Sequence, residues 1–494
     1  MKKQLLLLIL IPLINFSQVQ IGQDIDGESF SDYSGNAISL SGNGLMLAIA
    51  AERNDSNGQD SGHVRIFENQ LGSWVQVGNE INGEVANELF GRSVSLSNDG
   101  SIVAIGALGN PVSGNNSGIV RIYENLAGNW IQIGSDINGE FADDQAAGST
   151  NSISLSSDGS IIAIGARYNN GNGQDSGHVR IFENQSGNWV QIGDDIDGEV
   201  NEDESGRSIS LSSDGSIVAI GAIYNSGNGT NSGHVRIFEN QSGNWVQIGD
   251  DINGEVAGDV FGWSVNLSNN GSIVAIGAPN NDGNGNISGH VRIFENQSGI
   301  WTQLGSDIEG RAAGDWFGYD VKLSSDGSII AISATENGGI PPSTKGYVRI
   351  FKYQSGNWIQ QGNDIEGEAP NDYSGGSIGL SDDGLVIAIG SRLNNGISGF
   401  ASGHVRVYDL SAVLSVDSFK QDLFNVIVND NEDLVEITLD NNQILNQVNL
   451  YTVDGKYLYS EKSLQLKTNT LSRGIYVIEV ETDKGKSAKK VIIK

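Results

Sequence analysis

The motif Asp-Ile-x-Gly-Glu, with a further acid four residues after its glutamate, recurs seven times in this chain with small variations. In one copy the three acids are Asp251, Glu255 and Asp259; in others they are Asp24, Glu28 and Asp32, or Asp364, Glu368 and Asp372. The first position is acidic in every copy, the second in all but one, where Arg311 stands, and the third in every copy. Oxygen-rich loops free of thiol and imidazole suit a hard cation, which makes Asp251, Glu255 and Asp259 candidate metal ligands and Ca2+ the candidate ion. The same acids serve equally well as turn caps that bond backbone amides, or as partners of a recurring arginine. Their spacing matches no known ligand loop.

All five histidines fall at one repeat position, His63, His178, His234, His290 and His404, with Ile119 and Tyr347 in the remaining copies. A catalytic or metal-binding imidazole is expected to break the symmetry of a repeat, and one that isoleucine replaces reads as strand packing. Departures from symmetry carry more information. Trp263 and Trp316 stand beside Phe-Gly positions, Tyr319 is close by, and Arg311 replaces an acid, so these four are candidate ligand-binding residues. Exposed aromatics stack on sugar rings while acids and amides bond the hydroxyls; the competing reading is packing between repeats. Pro341-Pro342 lies in an altered loop of the same region, where it shapes or stiffens the chain. No Gly-x-Ser-x-Gly elbow, His-Glu-x-x-His pair or phosphate-cradling loop is present. No catalytic or cofactor-binding residue is therefore assigned, and the chain is expected not to be an enzyme.

The elements that must position these residues are short strands. A Gly-x-Val-Arg-Ile-aromatic run recurs with its arginine at Arg65, Arg121, Arg180, Arg236, Arg292, Arg349 and Arg406, a period of 56 to 59 residues. Six copies are followed by Trp-x-Gln-x-Gly, beginning at Trp74, Trp130, Trp189, Trp245, Trp301 and Trp358; the seventh is not. Its equivalent, Gln18-Val-Gln-Ile-Gly22, stands at the other end of the repeats and can close the last unit, which predicts a closed ring. Within a unit, Ser93-Val-Ser-Leu-Ser97 alternates and Asn98-Asp99-Gly100 turns it into the apolar Ile102–Ala107 strand. The Asp-Gly pair recurs at Asp158, Asp214, Asp326 and Asp383, with Asn43 and Asn270 as variants. Four strands per unit and seven units predict an all-β fold, a seven-bladed β-propeller over residues 18–410.

Composition sets the boundaries. The 494 residues include 67 glycines at fixed repeat positions and no cysteine, which excludes disulfides and thiolate sites. Net charge is −32, and before Val413 the repeats hold 48 acids against 16 bases, so nucleic acid and anionic membranes are disfavoured partners. Lys2 and Lys3 precede an apolar run from Leu5 to Ile14, too short to span a bilayer, so residues 1–17 read as a signal peptide and no membrane span is expected.

The run Asp259-Val-Phe-Gly262-Trp-Ser264, with Ala275-Ile-Gly-Ala-Pro279 and Ser288-Gly-His-Val-Arg-Ile-Phe294, resembles the FG-GAP repeat of integrin α-subunit and bacterial surface propellers. Phe90-Gly91 and Phe317-Gly318 repeat its first element, and Ala104–Ala107, Ala163–Ala166 and Ala219–Ala222 its second. Integrin-type copies often carry an Asp-x-Asp-x-Asp-Gly calcium loop between the first two strands. Here a minimal hairpin stands there, and those sites are not carried over.

After residue 410 the period stops and lysine becomes common. Leu450-Tyr-Thr-Val-Asp-Gly-Lys456, Leu471-Ser-Arg-Gly-Ile-Tyr-Val-Ile-Glu-Val480 and Lys489–Lys494 look like the type IX secretion sorting domain of Bacteroidetes, without its usual Asn-Pro. Residues 411–422 then read as a linker and 423–494 as a small Ig-like β-sandwich sorting domain, with Asp454-Gly455 as a hairpin turn. The resemblance implies the type IX secretion machinery as a partner and a secreted or outer-membrane surface location. Together these readings predict a secreted or cell-surface binding and adhesion propeller that recognises a glycan or protein ligand. The alternatives from other classes are a secreted polysaccharide hydrolase or lyase, and a structural surface-coat protein.

Overall fold

A computed structural model describes residues 18–109, 115–335 and 345–414, and from the C-terminal region 424–429, 434–439, 444–452, 456–469, 471–482 and 485–493. Residues 1–17, Pro341-Pro342, the Asp454-Gly455 turn and positions 415–422 of the linker reading lie outside the described residues. The chain divides into two compact units between Leu414 and Ser415.

The first unit is a seven-bladed β-propeller. In the second blade Ser93–Leu96, Ile102–Ala107, Ile119–Leu126 and Asn129–Gln132 form an antiparallel meander, and the two-residue strand Ile137–Asn138 folds back onto the third strand. The first hairpin follows from its side chains. Asp99 Oδ1 accepts hydrogen bonds from Ser97 Oγ, Ser101 N and Ser101 Oγ, while Gly100 takes φ +74°, a region closed to most residues. In the last blade Ser374–Leu380, Val386–Ser391 and His404–Asp409 are joined by Val19–Gln20 from the other end of the chain. Val19 lies opposite Asp409 and Gln20 opposite Tyr408, and Ile21 N donates to Val407 O at 2.7 Å.

Ring closure is visible in a circuit of backbone hydrogen bonds at the hairpin turns. Gly42 N donates to Asn98 O, Asn98 to Ser157, Ser157 to Ser213, Ser213 to Asn269, Asn269 to Ser325, Ser325 to Asp382, and Asp382 back to Gly42, all at 2.8–2.9 Å. A second set ties inner strands to each other. Leu96, Leu155, Leu211 and Leu267 donate their N–H to Ser39, Ser95, Ser154 and Ser210 of the preceding blade, and Leu323 to Asn266. Where the repeat has Lys322 and Gly379 at that position, Asp320 and Ser377, two residues earlier, accept instead from Ile378 and Ile38. On the outside, the indole Nε1–H of Trp74, Trp130, Trp189, Trp245, Trp301 and Trp358 donates to a carbonyl of the blade before it, at 2.8–3.1 Å.

The core lies between neighbouring sheets. Val64 and Ile66 of the first blade pack with Val94, Val103 and Ile105 of the second, which explains why the second strands are apolar on both faces. Residues 411–414 form a short helix that buries Val413 and Leu414 in the core of the last blade.

The second unit is a small β-sandwich. One sheet holds Phe424–Asn429, Leu434–Leu439 and Gln465–Lys467; the other holds Leu445–Thr452, Tyr457–Glu461, Gly474–Thr482 and Gly485–Ile493. Phe424, Val435 and Ile437 from the first meet Leu450, Ile478, Val480 and Val491 from the second in one core.

Candidate ligand-binding site at the axial mouth

Each inner strand is entered through a glycine or alanine after which one residue faces the axis. Gly91 shows why the glycine is needed: its φ is +94°, and an added Cβ would meet the Ala50 Cβ at 2.8 Å. The residue that follows is Asn36, Arg92, Gly148, Arg207, Trp263, Tyr319 and Gly376 around the ring. The residue after the second strand varies in the same way and supplies Glu52, Arg167 and Arg392. In a near-identical repeat, these two positions differ from blade to blade, and they meet at one end of the propeller.

There the side chains form a connected, cation-rich floor. The Arg207 guanidinium lies 4.2 Å above the Trp263 ring, and the residue is 7% exposed. Its Nε and Nη1 have no hydrogen-bond partner among the described residues. Burial, together with Arg167 beside it, pushes Arg207 down to about 10. Arg92 is held by Glu52 at 2.8 Å and Gly148 O at 3.2 Å, and Arg167 by Gln145 at 3.0 Å with Glu204 at 3.7 Å. Arg392 donates to Asn36 Oδ1 at 2.9 Å and lies over the Tyr373 ring. The aromatics form a chain: Trp263 and Tyr319 are 5.5 Å apart, Tyr319 stacks on Trp316 at 6.3 Å and meets Tyr373 edge-on at 5.7 Å. Burial and the neighbouring Tyr319 hold the Tyr373 phenol well above the usual range. Asn151, in an insertion of the third blade, donates to Asp320 of the sixth at 3.2 Å and so spans the axis.

Of the four sequence candidates for ligand binding, Trp263, Trp316 and Tyr319 come together here. Arg311 lies apart, over the Tyr347 ring at 3.7 Å and paired with Asp364 and Glu366. Sequence reasoning missed Arg92, Arg167, Arg207, Arg392 and Tyr373. The signal that would have found the first four is variability at a fixed offset from the strand boundary, which marks positions facing a unique environment.

The acidic candidates fall in separate clusters on the same end. Asp251 accepts from Gln247 and faces His234, with Glu199 completing the group; Glu255 groups with His290 and Asp307. Asp259 is buried and accepts from Val256 N at 3.0 Å and Asn281 Nδ2 at 3.2 Å, capping the turn ahead of Phe261-Gly262. Five Glu-His-acid groups recur, at His63, His178, His234, His290 and His404, each with its ligand atoms within 4.8 Å of one another. The imidazoles are 0–1% exposed, and burial pushes His63 down to about 3 and His404 down to about 4. Clefts of about 500 Å³ reach the groups of His290 and His404.

Comparison with known proteins separates the two units. Residues 429–494 match the family described as secretion system C-terminal sorting domain, and residues 253–294 match the FG-GAP repeat. This is a secreted propeller with a sorting tail. The tail implies interaction with the type IX secretion machinery and export to the cell surface or the extracellular space. No helix among the described residues is long and apolar enough to cross a membrane. No curated protein sequence is significantly similar to the chain.

Similar solved structures include a Bacteroides uniformis protein described as a candidate 6-phosphogluconolactonase, at 12% identity and TM-score 0.48, covering 68% of this chain and 86% of that one. The periplasmic gluconolactonase PpgL of Pseudomonas aeruginosa matches at 14% identity and TM-score 0.49, covering 72% and 98%. The Dos1 propeller matches at 14% identity and TM-score 0.45, covering 79% and 96%. The expectation that the chain is not an enzyme does not hold beside these neighbours, two of which carry lactonase names. The physical reason is that a propeller assembles its axial site from seven separate blades, so the absence of a linear catalytic motif excludes no chemistry there. At these identities the likenesses assign no activity to this chain.

Proposed function

We propose that the exported propeller binds an acidic saccharide, one bearing carboxylate or sulfate groups, at its axial mouth. Arg207 carries this reading. A guanidinium that is buried, stacked on an indole and left with two donor nitrogens unpartnered among the described residues is costly to fold around, and an anionic group is the partner that offsets the cost. The contrast with the rest of the chain supports the reading: in a protein of net charge −32, Arg207 and Arg392 face the axis with no carboxylate in ion-pair contact among the described residues. Trp263 and Tyr319 beside them offer the apolar faces on which pyranose rings stack. Displayed at the surface by its sorting route, such a site attaches the cell or the secreted protein to an acidic glycan.

Calorimetric titration of the mature protein with a panel of uronate-containing, sulfated and neutral oligosaccharides tests the proposal. The expected result is saturable binding of an acidic member, weakened at least tenfold by Arg207→Met and by raised salt, with no binding of its neutral counterpart. Equal affinity for neutral and acidic sugars, or full retention of affinity in Arg207→Met, overturns it.

A further inference from the structure

The five Glu-His-acid groups differ from the two blades that lack histidine in one informative respect. In the blade with Ile119, the repeat arginine Arg121 pairs with all the nearby acids, Glu88 at 2.6 Å, Glu84 at 3.2 Å and Asp136 at 3.3 Å. In the blade with Tyr347, the glutamate itself has become Arg311, which pairs with Asp364 at 3.2 Å and Glu366 at 3.5 Å. Where the histidine is lost, a guanidinium therefore stands among the acids.

In four of the histidine blades the repeat arginine is tied first to the backbone, and only Arg65 also reaches an acid of its group within hydrogen-bond distance, Glu28 at 3.4 Å. Arg65, Arg180, Arg236 and Arg406 each give Nη2 to a backbone carbonyl at 2.6–2.7 Å. Arg180 and Arg236 approach their acids only to 3.7 and 4.0 Å. The acids face imidazole Nδ1 instead, at 3.5 Å for His178 with Asp195 and His404 with Asp24, and 3.7–3.9 Å in the groups of His234, His290 and His63. In His63 and His234 this buried nitrogen has no hydrogen-bond partner among the described residues. In these two groups a buried ring nitrogen faces two carboxylates without a hydrogen bond to either, an arrangement that a cation between them would convert into a ligand set.

We infer that each of these five groups binds one divalent metal ion of the zinc class through His Nδ1 and two carboxylate oxygens. The donor set favours this class over calcium, which takes oxygen ligands alone. Tetrahedral coordination at about 2.0–2.1 Å places ligand atoms about 3.3 Å apart, so the observed spacings need only small side-chain movement. Each ion would join three segments: the connection entering a blade through its glutamate, the third strand through its histidine, and the turn beyond the outer strand through its aspartate or, in one blade, Glu80. The fourth position is left to water at the open face.

The test is metal analysis of the mature, tag-free protein, stripped with EDTA, loaded with zinc chloride and dialysed. The expected result is retention of five equivalents of zinc and a thermal midpoint raised by zinc more than by equal calcium. The paired change Glu255→Arg with His290→Tyr copies the arrangement already present at Arg311 and Tyr347, so it preserves the fold and should remove one equivalent. His234→Ile, which copies Ile119, should remove another. Loss of all zinc on dialysis, undiminished stoichiometry in these variants, or displacement of zinc by equimolar calcium overturns the assignment.

Discussion

The guanidinium of Arg207 lies 4.2 Å over the Trp263 ring while two of its nitrogens stay buried and unpartnered. The two residues occupy the same position in successive repeats, so one blade supplies the charge and the next supplies the surface on which it rests. Their pairing arises from ring geometry, since the two residues are 56 positions apart in the chain.

Replacing Arg207 by methionine leaves a long apolar side chain beside Trp263 and removes the unsatisfied donors. The variant is expected to be more stable than the parent by about 1–3 kcal/mol, read from urea unfolding, while it loses acidic-ligand affinity. A destabilised variant would mean that the guanidinium is satisfied by ordered water in the folded protein.

Closure of the ring rests on a few bonds between distant parts of the chain. Ile21→Pro removes the N–H that Val407 accepts and should cost about 1–3 kcal/mol. Because that bond ties the first strand to the last blade, limited proteolysis should release the N-terminal segment first. Cleavage elsewhere at an unchanged rate would show that the outer strand contributes little to closure.

Asp320 should be among the least replaceable acids in the propeller. It is 1% exposed, accepts from Asn151 across the axis and from Ile378 N of the next blade, and pairs with Lys322 at 3.2 Å. Asp320→Ala leaves a buried N–H and an ammonium group without their partner, with an expected loss of about 3–5 kcal/mol. Ser210→Ala, which frees only Leu267 N, should cost less, about 1–3 kcal/mol. Comparable losses in the two variants would argue against a special role for the axial bridge.

The hairpin aspartates give the propeller an acid limit. Partial burial would raise Asp99, Asp158, Asp214 and Asp326, but the N–H and O–H groups of the flanking serines overcome it and hold all four below the ordinary value of 3.8. Their folded-state values lie under the unfolded one, so the stability they contribute is complete above about pH 4 and disappears as pH falls through the folded values. Changing all four to asparagine, which already serves at Asn270 with the same three donors, should lower the thermal midpoint at pH 7, where the charge-assisted bonds are lost, and flatten its fall below pH 4. An acid limb as steep as the parent's would assign the limit to other carboxylates.

The architecture was legible in the sequence because its causes are local and repeated. Asp-Gly turns, two-faced apolar strands and a tryptophan at fixed spacing specify a blade, and seven of them with an offset start specify a ring. The sorting tail was legible for the same reason, as runs of residues contiguous in the chain. The sites were only partly legible. Asp251 and Glu255 stand in one motif, yet each groups with a histidine of a different blade, because the chain between them crosses a blade boundary. The histidines read as packing, and they are buried, but the direction of their Nδ1 atoms depends on how strand and loop meet in space. The arginine floor was legible only as variability at two fixed offsets from the strand boundaries; that Arg92, Arg167, Arg207 and Arg392, from four blades, converge on one place depends on the ring. Sequence by itself determined the number of blades, how they close and how the protein leaves the cell. Tertiary structure alone decided which side chains share the axis, since that depends on the curvature of the ring and not on neighbours in the chain.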